Sequence, residues 1–378
     1  MYQRAFIEAV RIEGFRSLAD ISLTGLGRVA VLIGSNGSGK SNFIRFFEML
    51  SWMIRSRRLS EFVARNGGAD DQLYGGSSKT LRIKATVSLR TDAGLNEYHF
   101  ALSHAHPDRL LFTEEAFRFS RHGYLSEAPW QYLESGNREA SIVEAAQSPA
   151  ALQDVNPQTA SVIVSLLRNC SVYQFHDTSD SSNFKTRWDA DDSDFLRSHG
   201  GNLAAVLYRL ERNDLERFER VCSCITRVLP TFDRFSIEES FGRVLLRWKA
   251  KGSDKTYGPH LTSDGSLRFL ALVTLLNLPP AMLPDVLLLD EPELGLHPAA
   301  IALVGGMINS VASERQVIVA TQSPLLVNAF NLEEIVVFEH TDDRTECKQL
   351  DPAEYRQWLE DGYTSGDLWW KNLLGGYP

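Results

Sequence analysis

Cysteine is scarce in this chain: only 4 of its 378 residues are cysteines, and only Cys222 and Cys224 lie close together in sequence. So few, scattered cysteines exclude a disulfide framework. The Cys222-Ser223-Cys224 segment also lacks the second pair of ligands that a structural zinc site requires. We therefore expect a protein of the reducing cytoplasm.

Long hydrophobic runs are missing as well. The longest apolar stretch, from Leu267 to Leu278, is too short to cross a bilayer. Arg4, Glu8 and Arg11 interrupt the N-terminal region, which argues against a signal peptide there. We therefore expect no association with a membrane.

Positive charge is in deficit: the chain has 39 lysines and arginines and 48 aspartates and glutamates, which gives a net charge of −9. This balance argues against a chain that coats nucleic acid indiscriminately. A local basic groove stays open, since electrostatic steering depends on where the charges lie. Sustained heptads are absent too, which excludes a long coiled-coil arm.

The most informative pattern that is present is a glycine-rich segment between the apolar stretch 29–33 and a helix expected from Asn42 to about Arg57. Strand, loop and helix in this order are the context that the G-x-x-x-x-G-K-[ST] phosphate-binding pattern requires. Glycines let successive backbone N–H groups point at phosphate, and the helix adds its positive N-terminal end. We predict that ATP is bound by Gly34, Ser35, Asn36, Gly37, Ser38, Gly39, Lys40, Ser41 and Asn42.

Two side chains of this loop are expected to take part in phosphate chemistry. Lys40 should reach the β- and γ-phosphates, which gives it a catalytic role. The hydroxyl of Ser41 should hold Mg²⁺. The sequence thus predicts ATP and Mg²⁺ as cofactors.

A second pattern supplies carboxylates. The continuous apolar run 286–289 is typical of a buried central strand, and it ends in Asp290-Glu291-Pro292. In α/β folds the carboxyl ends of such strands border the ligand crevice. We predict that Asp290 binds Mg²⁺ and that Glu291 acts as the general base that polarises the attacking water.

A third pattern, Ser263-Asp264-Gly265, opens the apolar helix predicted from Phe269 to Leu278. Taken alone, serine, aspartate and glycine at a helix start are an ordinary N-terminal cap. The same groups also make an anion-binding site from backbone N–H groups, a hydroxyl and the helix dipole.

The chain resembles ABC-type ATPases of the RecF/SMC branch in the order of its motifs. These are the phosphate loop, the Ser-x-Gly segment, the Asp-Glu strand and a final strand that ends in 320–324. More narrowly, the chain resembles AAA-type ATPases related to the OLD (overcoming lysogenisation defect) family. The matching motifs are Gly14-Phe15-Arg16-Ser17-Leu18, the segment 289–298 (LDEPELGLHP) and the segment 320–324 (ATQSP). They cover the two ends of the chain, roughly 1–60 and 255–340.

The resemblance implies a head-to-tail homodimer that forms around ATP, with two sites in each dimer. Ser263 and Gly265 of one copy would contact the γ-phosphate that Lys40 and Ser41 of the other copy bind. Arg268 either supports that contact or is an ordinary arginine on the helix surface. The turn 295–298 would lie at the dimer seam.

The sequence departs from the family in one place that affects catalysis. Related ATPases often carry His after the final strand, and this chain has Gln322. Glutamine can orient water or donate to the γ-phosphate, but it cannot carry a proton charge. We therefore assign Gln322 a catalytic role and expect slow turnover. Gln174 is the candidate for the family's coupling glutamine, which would add it to the Mg²⁺ site.

The predicted fold is α/β: a P-loop NTPase head of the ABC type, with a mixed sheet covered by helices on both faces and an antiparallel β-meander lobe. Residues 1–135 are expected to form the first part of the head, 136–232 a largely helical insertion, and 233–378 the second part of the head.

The predicted function is an ATPase that acts as a switch associated with double-stranded DNA in repair or defence against phage. The alternative is an ATP-gated scaffold that controls a separate effector protein, such as a nuclease. We expect no intrinsic nuclease activity, because no metal-binding carboxylate domain is recognisable among the 48 residues that follow Phe330.

Overall fold

Strands and helices of the chain were assigned in a computed structural model, which describes residues 6–123, 128–147 and 155–377. The strands are β1 (Phe6–Phe15), β2 (Leu18–Thr24), β3 (Val29–Ile33), β4 (Arg82–Thr91), β5 (Gly94–Ala105), β6 (Arg109–Arg121), β7 (Gln131–Tyr132), β8 (Cys170–Tyr173), β9 (Trp188–Asp189), β10 (Phe232–Phe235), β11 (Arg243–Val244), β12 (Trp248–Ala250), β13 (Thr256–Tyr257), β14 (Val286–Asp290), β15 (Gln316–Ala320), β16 (Ile335–Thr341) and β17 (Arg344–Gln349). The helices are α1 (Lys40–Ser51), α2 (Leu59–Arg65), α3 (Ile142–Gln147), α4 (Pro157–Arg168), α5 (Leu203–Asn213), α6 (Leu215–Val228), α7 (Asp264–Leu276), α8 (Pro298–Ala312), α9 (Pro324–Val327), α10 (Arg356–Glu360) and α11 (Ser365–Trp370).

A six-stranded sheet in the order β17-β16-β3-β15-β14-β8 forms the centre of the fold. Its strands pair in parallel except for β17, which adds an antiparallel edge. Every residue of β3, β14 and β15 is buried. Parallel strands with both faces covered consist of apolar residues throughout, which is why these strands could be recognised as continuous apolar runs.

Alternate residues of the central strands enter two different cores. Val29, Val31 and Ile33 of β3 pack with α5, α6, α7 and α8, whereas Ala30 and Leu32 pack with α1 and α4. Side chains of a strand alternate between its two faces, so one short strand stabilises both layers of helices. This arrangement confirms the predicted sheet with helices on both faces.

The predicted antiparallel meander forms a second six-stranded sheet, in the order β2-β1-β4-β5-β6-β7. It packs on α1 through a cluster of aromatic side chains, in which Phe46 of α1 stacks on Phe100 of β5 with ring centroids 6.2 Å apart. The meander therefore supports the helix that begins inside the phosphate loop.

Two expected segments differ from the structure. The helix predicted to run to Arg57 ends at Ser51 and continues as a π-helical turn over Trp52–Ser56. The helical insertion expected over 136–232 also contains β8, which pairs in parallel with β14 as an edge of the central sheet. A strand of four residues after a helix gives too little periodicity to be recognised in sequence.

Candidate nucleotide-binding site

The carboxyl ends of four parallel strands meet at one edge of the central sheet, and the candidate site lies there. Strand β3 leads into the phosphate loop, β14 ends at Asp290, β15 leads to Gln322, and β8 leads to Gln174. Because the four strands are parallel neighbours, residues far apart in sequence are brought to the same edge.

Glycines of the phosphate loop are required by its close contacts with the β16–β17 hairpin. Gly34 and Gly39 have φ angles of 151° and 105°, which side-chain-bearing residues rarely adopt. A Cβ at Gly34 would lie 2.2 Å from the carbonyl oxygen of Phe338, and a Cβ at Gly39 would lie 2.1 Å from Thr345 Oγ1. The hairpin therefore fixes the outside of the loop.

Lys40 spans the inside of this loop. Its side chain is buried, and its Nζ donates to the carbonyl oxygens of Gly34 (2.6 Å) and Ser35 (2.9 Å) and to Ser38 Oγ (3.3 Å). Burial lowers the pKa of Lys40, against the opposing attraction of Glu291 and Asp290. The ammonium group is thus held where the phosphate loop closes, and its contact with the β- and γ-phosphates stays a prediction.

Asp290 has the features of a metal ligand. Its Oδ2 accepts a hydrogen bond of 3.0 Å from Gln174 Nε2, so the structure brings these two predicted residues together. Its Oδ1 is buried and has no hydrogen-bond partner within the described part of the chain. Burial raises the pKa of this carboxyl group, and the neighbouring charge of Glu291 adds to the rise, against the opposing effects of His176 and of the hydrogen bond from Gln174. A hard divalent cation such as Mg²⁺ would satisfy the free oxygen, and Ser41 at the start of α1 offers a hydroxyl ligand.

Glu291, the predicted general base, adopts an unusual backbone conformation. Its φ of 46° is left-handed, which is strained for a glutamate, and strained residues are enriched at functional sites. The side-chain amide of Gln322 donates to Glu291 Oε1. Two of the three predicted catalytic side chains are therefore in direct contact, and Gln322 can orient the carboxylate that would receive a proton from water.

Glu293 positions the turn that carries Gln322, and sequence reasoning did not single it out. Its Oε1 accepts hydrogen bonds from Thr321 Oγ1 (2.6 Å) and from the backbone N–H of Gln322 (2.9 Å). Its Oε2 is buried without a partner among the described residues, and burial raises its pKa. Its signal in sequence was its place in the segment 289–298, two residues after Glu291, and no role was assigned to it.

The Ser-x-Gly segment opens a helix, as predicted, but α7 begins at Asp264 and ends at Leu276, whereas the helix was predicted from Phe269 to Leu278. Ser263 caps the helix by accepting from the backbone N–H of Ser266 at 3.3 Å. Gly265 packs on the turn after β14, since a Cβ there would lie 2.3 Å from the carbonyl oxygen of Gly295. In the described part of the chain, neither Ser263 nor Gly265 hydrogen-bonds to the phosphate loop of its own copy.

Arg268 is engaged within its own chain. Its guanidinium donates to the carbonyl oxygens of Phe175 (3.1 Å), His176 (2.8 Å) and Leu294 (3.4 Å). It therefore joins α7 to the segment after Gln174 and to the turn after Glu291. This geometry favours a positioning role for Arg268 over the phosphate contact considered from sequence.

A largely parallel sheet that delivers a phosphate loop, the buried Asp290 and the half-buried Glu291 to one edge is typical of a P-loop ATPase with an ABC-type head. The family model described as "AAA domain, putative AbiEii toxin, Type IV TA system" matches residues 29–328. The chain belongs to this family of AAA ATPases. No curated protein sequence matches it significantly.

Two solved structures support the same fold. An Smc head bound to the C-winged helix domain of ScpA has a TM-score of 0.59 at 14% identity, with 93% of this chain and 99% of that chain covered. An Smc head with an extended coiled coil, bound to the C-terminal domain of ScpA from Pyrococcus furiosus, has a TM-score of 0.60 at 13% identity, with 94% and 99% covered. The fold is therefore that of SMC head domains. Among the residues that the structure describes, no helix is both long and apolar enough to cross a membrane.

Proposed function

We propose that the protein is an ATP-hydrolysing switch whose active unit is a pair of copies, each completing the nucleotide site of the other. The contact between Gln322 and Glu291 beside the unsatisfied Asp290 oxygen carries this proposal. Together, Glu291, Gln322 and Asp290 supply a base, an orienting amide and a Mg²⁺ ligand at one edge of the sheet. Bound Mg²⁺ would neutralise phosphate charge in this site.

The second copy is proposed from the position of the Ser-x-Gly segment at the start of α7. Ser263 and the N-terminus of α7 form an anion-binding arrangement that is not used by the phosphate loop of the same copy. A two-fold pair would present this arrangement to the partner's nucleotide. Slow turnover is proposed, because Gln322 cannot hold a proton as a histidine would.

Hydrolysis is tested by steady-state release of phosphate from Mg-ATP. Replacing Glu291 with Gln should lower kcat by about 100-fold or more while ATP still binds, because the general base is lost. Glu333→Gln, at an exposed position in the turn before β16, is the matched control and should leave kcat unchanged. A Glu291→Gln variant with wild-type kcat would refute the assignment of Glu291 as the general base. Rapid turnover of the wild type that persists in this variant would refute it as well.

Double-stranded DNA in repair or defence is the first proposed partner of the switch. The family description names a toxin of a type IV system, which favours the context of defence. Filter binding to duplex DNA across a salt series tests it, since phosphate contacts give affinities that fall steeply with salt. ATP-dependent retention with a steep slope is expected, and its absence would remove DNA from the proposal.

A separate effector protein is the second candidate, and one observation favours it. Arginines that could have formed a basic patch after α1 are engaged by their own chain: Arg55 bonds Ser171 Oγ at 2.7 Å, and Arg57 pairs with Glu144. Paired arginines are less available to DNA phosphates. Co-purification of a specific protein that dissociates on ATP hydrolysis would favour this candidate, whereas DNA-stimulated hydrolysis by the chain alone would oppose it.

A further inference from the structure

The peptide group that joins Asp290 to Glu291 is held from both sides. Its N–H, on Glu291, donates to the carbonyl oxygen of Ala320 at 2.8 Å. Its carbonyl oxygen, on Asp290, lies 3.2 Å from Nε2 of His176. Because a carbonyl oxygen can only accept, Nε2 is the protonated nitrogen of this ring and donates the hydrogen bond. Two neighbouring segments therefore fix the peptide group that precedes the proposed general base.

This peptide group sets the backbone conformation of a strained residue. The φ of Glu291, 46°, is the rotation about the bond from its backbone N to its Cα. The orientation of the preceding peptide group therefore decides the direction in which the Glu291 side chain leaves the backbone. A left-handed glutamate persists only where the surrounding structure holds it. The hydrogen bond from His176 is one of the contacts that hold it.

His176 and Gln174 reach the same residue through different groups. Gln174 Nε2 donates to the side-chain Oδ2 of Asp290 at 3.0 Å, whereas His176 Nε2 donates to its main-chain oxygen. Phe175, which lies between them, is buried in the core with Tyr173. This alternation is that of an extended chain that continues from β8. One residue of the segment thus holds the proposed Mg²⁺ ligand, and the other holds the backbone before the proposed base.

The backbone of His176 is fixed independently of its ring. Its carbonyl oxygen accepts from Arg268 Nη2 at 2.8 Å, and the carbonyl oxygen of Phe175 accepts from Arg268 Nε at 3.1 Å. The backbone N–H of Gln174 donates to the carbonyl oxygen of Ser198 at 3.2 Å. His176 as a residue is exposed, so its ring adds little to the core. We therefore expect that the ring can be replaced without loss of the fold.

We propose that His176 is a positioning residue for Glu291: its hydrogen bond to the carbonyl oxygen of Asp290 holds the peptide group that directs the base toward the attacking water. This inference rests on the proposed hydrolysis of ATP with Glu291 as the base. Gln322 contacts the carboxylate itself, and His176 acts on it through the main chain. Both contacts reduce the freedom of one reacting group, and small displacements of such groups lower rates strongly.

The test compares steady-state ATP hydrolysis by His176 variants at saturating Mg²⁺, with thermal unfolding to verify that each variant is folded. His176→Ala should lower kcat by about 10-fold with little change in KM, because the base loses its alignment while the phosphate loop is untouched. His176→Gln should keep most of kcat, since its Nε2 reaches as far from the backbone as histidine Nε2 and can donate to the same oxygen. His176→Asn, whose amide is shorter, should behave like His176→Ala. His122→Ala, at an exposed position in the turn after β6, is the matched control and should leave kcat unchanged.

A double variant separates this inference from the proposed function. Adding His176→Ala to Glu291→Gln should cost no further rate in single-turnover hydrolysis, because both changes act on the same step. If Glu291→Gln is impaired but His176→Ala keeps the wild-type kcat, lowers the rate equally in both backgrounds, or is rescued by excess Mg²⁺, the positioning role is refuted and the proposed base stands. A His176→Gln variant as slow as His176→Ala would refute it too. If Glu291→Gln itself keeps the wild-type kcat, the proposed base is refuted and this inference with it.

Discussion

Arg268 offers a sharp prediction, because its three backbone acceptors belong to two segments that adjoin residues of the proposed catalytic site. Phe175 and His176 follow Gln174, which bonds Asp290, and Leu294 follows Glu291 in the next turn. Replacing Arg268 with alanine removes all three hydrogen bonds at once. The segments after β8 and β14 then lose their common link to α7.

The expected cost to folding is moderate. Hydrogen bonds from a charged donor contribute about 1.5 to 3 kcal/mol each when well formed, but two of these three are solvent-exposed and one is 3.4 Å long. We therefore expect Arg268→Ala to lower the free energy of unfolding by about 2 kcal/mol. Urea denaturation followed by circular dichroism measures this value.

The expected cost to catalysis is larger than the cost to folding. A small displacement of Gln174 and Glu291 should lower kcat by about 10- to 100-fold, because alignment of reacting groups dominates such steps. Arg268→Lys should behave nearly as poorly as Arg268→Ala, since one ammonium group cannot reach three carbonyl oxygens as a planar guanidinium does.

The lysine variant decides between the two roles of Arg268. If its positive charge contacts the partner's γ-phosphate, lysine should restore most of the activity. Full rescue by Arg268→Lys, or an Arg268→Ala variant with unchanged kcat and stability, would contradict the positioning role.

Three further predictions concern packing, thiols and pH. Gly265→Ala should destabilise the chain by about 1 to 3 kcal/mol, because its Cβ would lie 2.3 Å from the carbonyl oxygen of Gly295. Gly306→Ala in α8 is the control and should not destabilise the chain, because its Cβ meets open space. Thermal unfolding of both variants checks this difference. Burial raises the pKa of Cys170 to about 12, so a thiol reagent at pH 8 should label this residue only after unfolding, and mass spectrometry showing rapid labelling of the native chain would contradict its burial. Burial also raises the pKa of Glu115 above its usual 4.5, so the folded chain binds the proton more tightly than the unfolded chain does. The free energy of unfolding should therefore fall as the pH rises through the folded pKa. Glu115→Gln should flatten this slope in urea titrations at several pH values, and an equal or steeper slope would refute the prediction.

The parts of the site that lie at the ends of central strands could be predicted from sequence. Asp290 and Gln322 follow buried apolar strands, and the phosphate loop follows a third, so strand order and parallel pairing suffice to bring them together. The position of Gln174 had little sequence signal, because β8 has only four residues and lies among helices. Its contact with Asp290 depends on a pairing of β8 with β14 that bridges more than a hundred residues.

Contacts to backbone carbonyls could not be predicted from sequence. Arg268 binds carbonyl oxygens whose positions depend on the paths of two separate turns, and residue identities carry no information about them. The same holds for Glu293, whose role depends on the backbone N–H of Gln322. The adjacent tryptophans 369 and 370 gave no sequence signal of which one is buried, because α11 has only six residues.

The most direct test of the shared site mixes two inactive variants. Lys40→Ala should fail to bind ATP but keeps Ser263. Ser263→Ala keeps Lys40 but should fail to complete its partner's site. Each alone should be inactive, and an equal mixture should regain about a quarter of the wild-type rate, since half of the pairs are mixed and each has one complete site of two. A mixture as inactive as its components, or a Ser263→Ala variant with the wild-type rate, would contradict a site built from two copies.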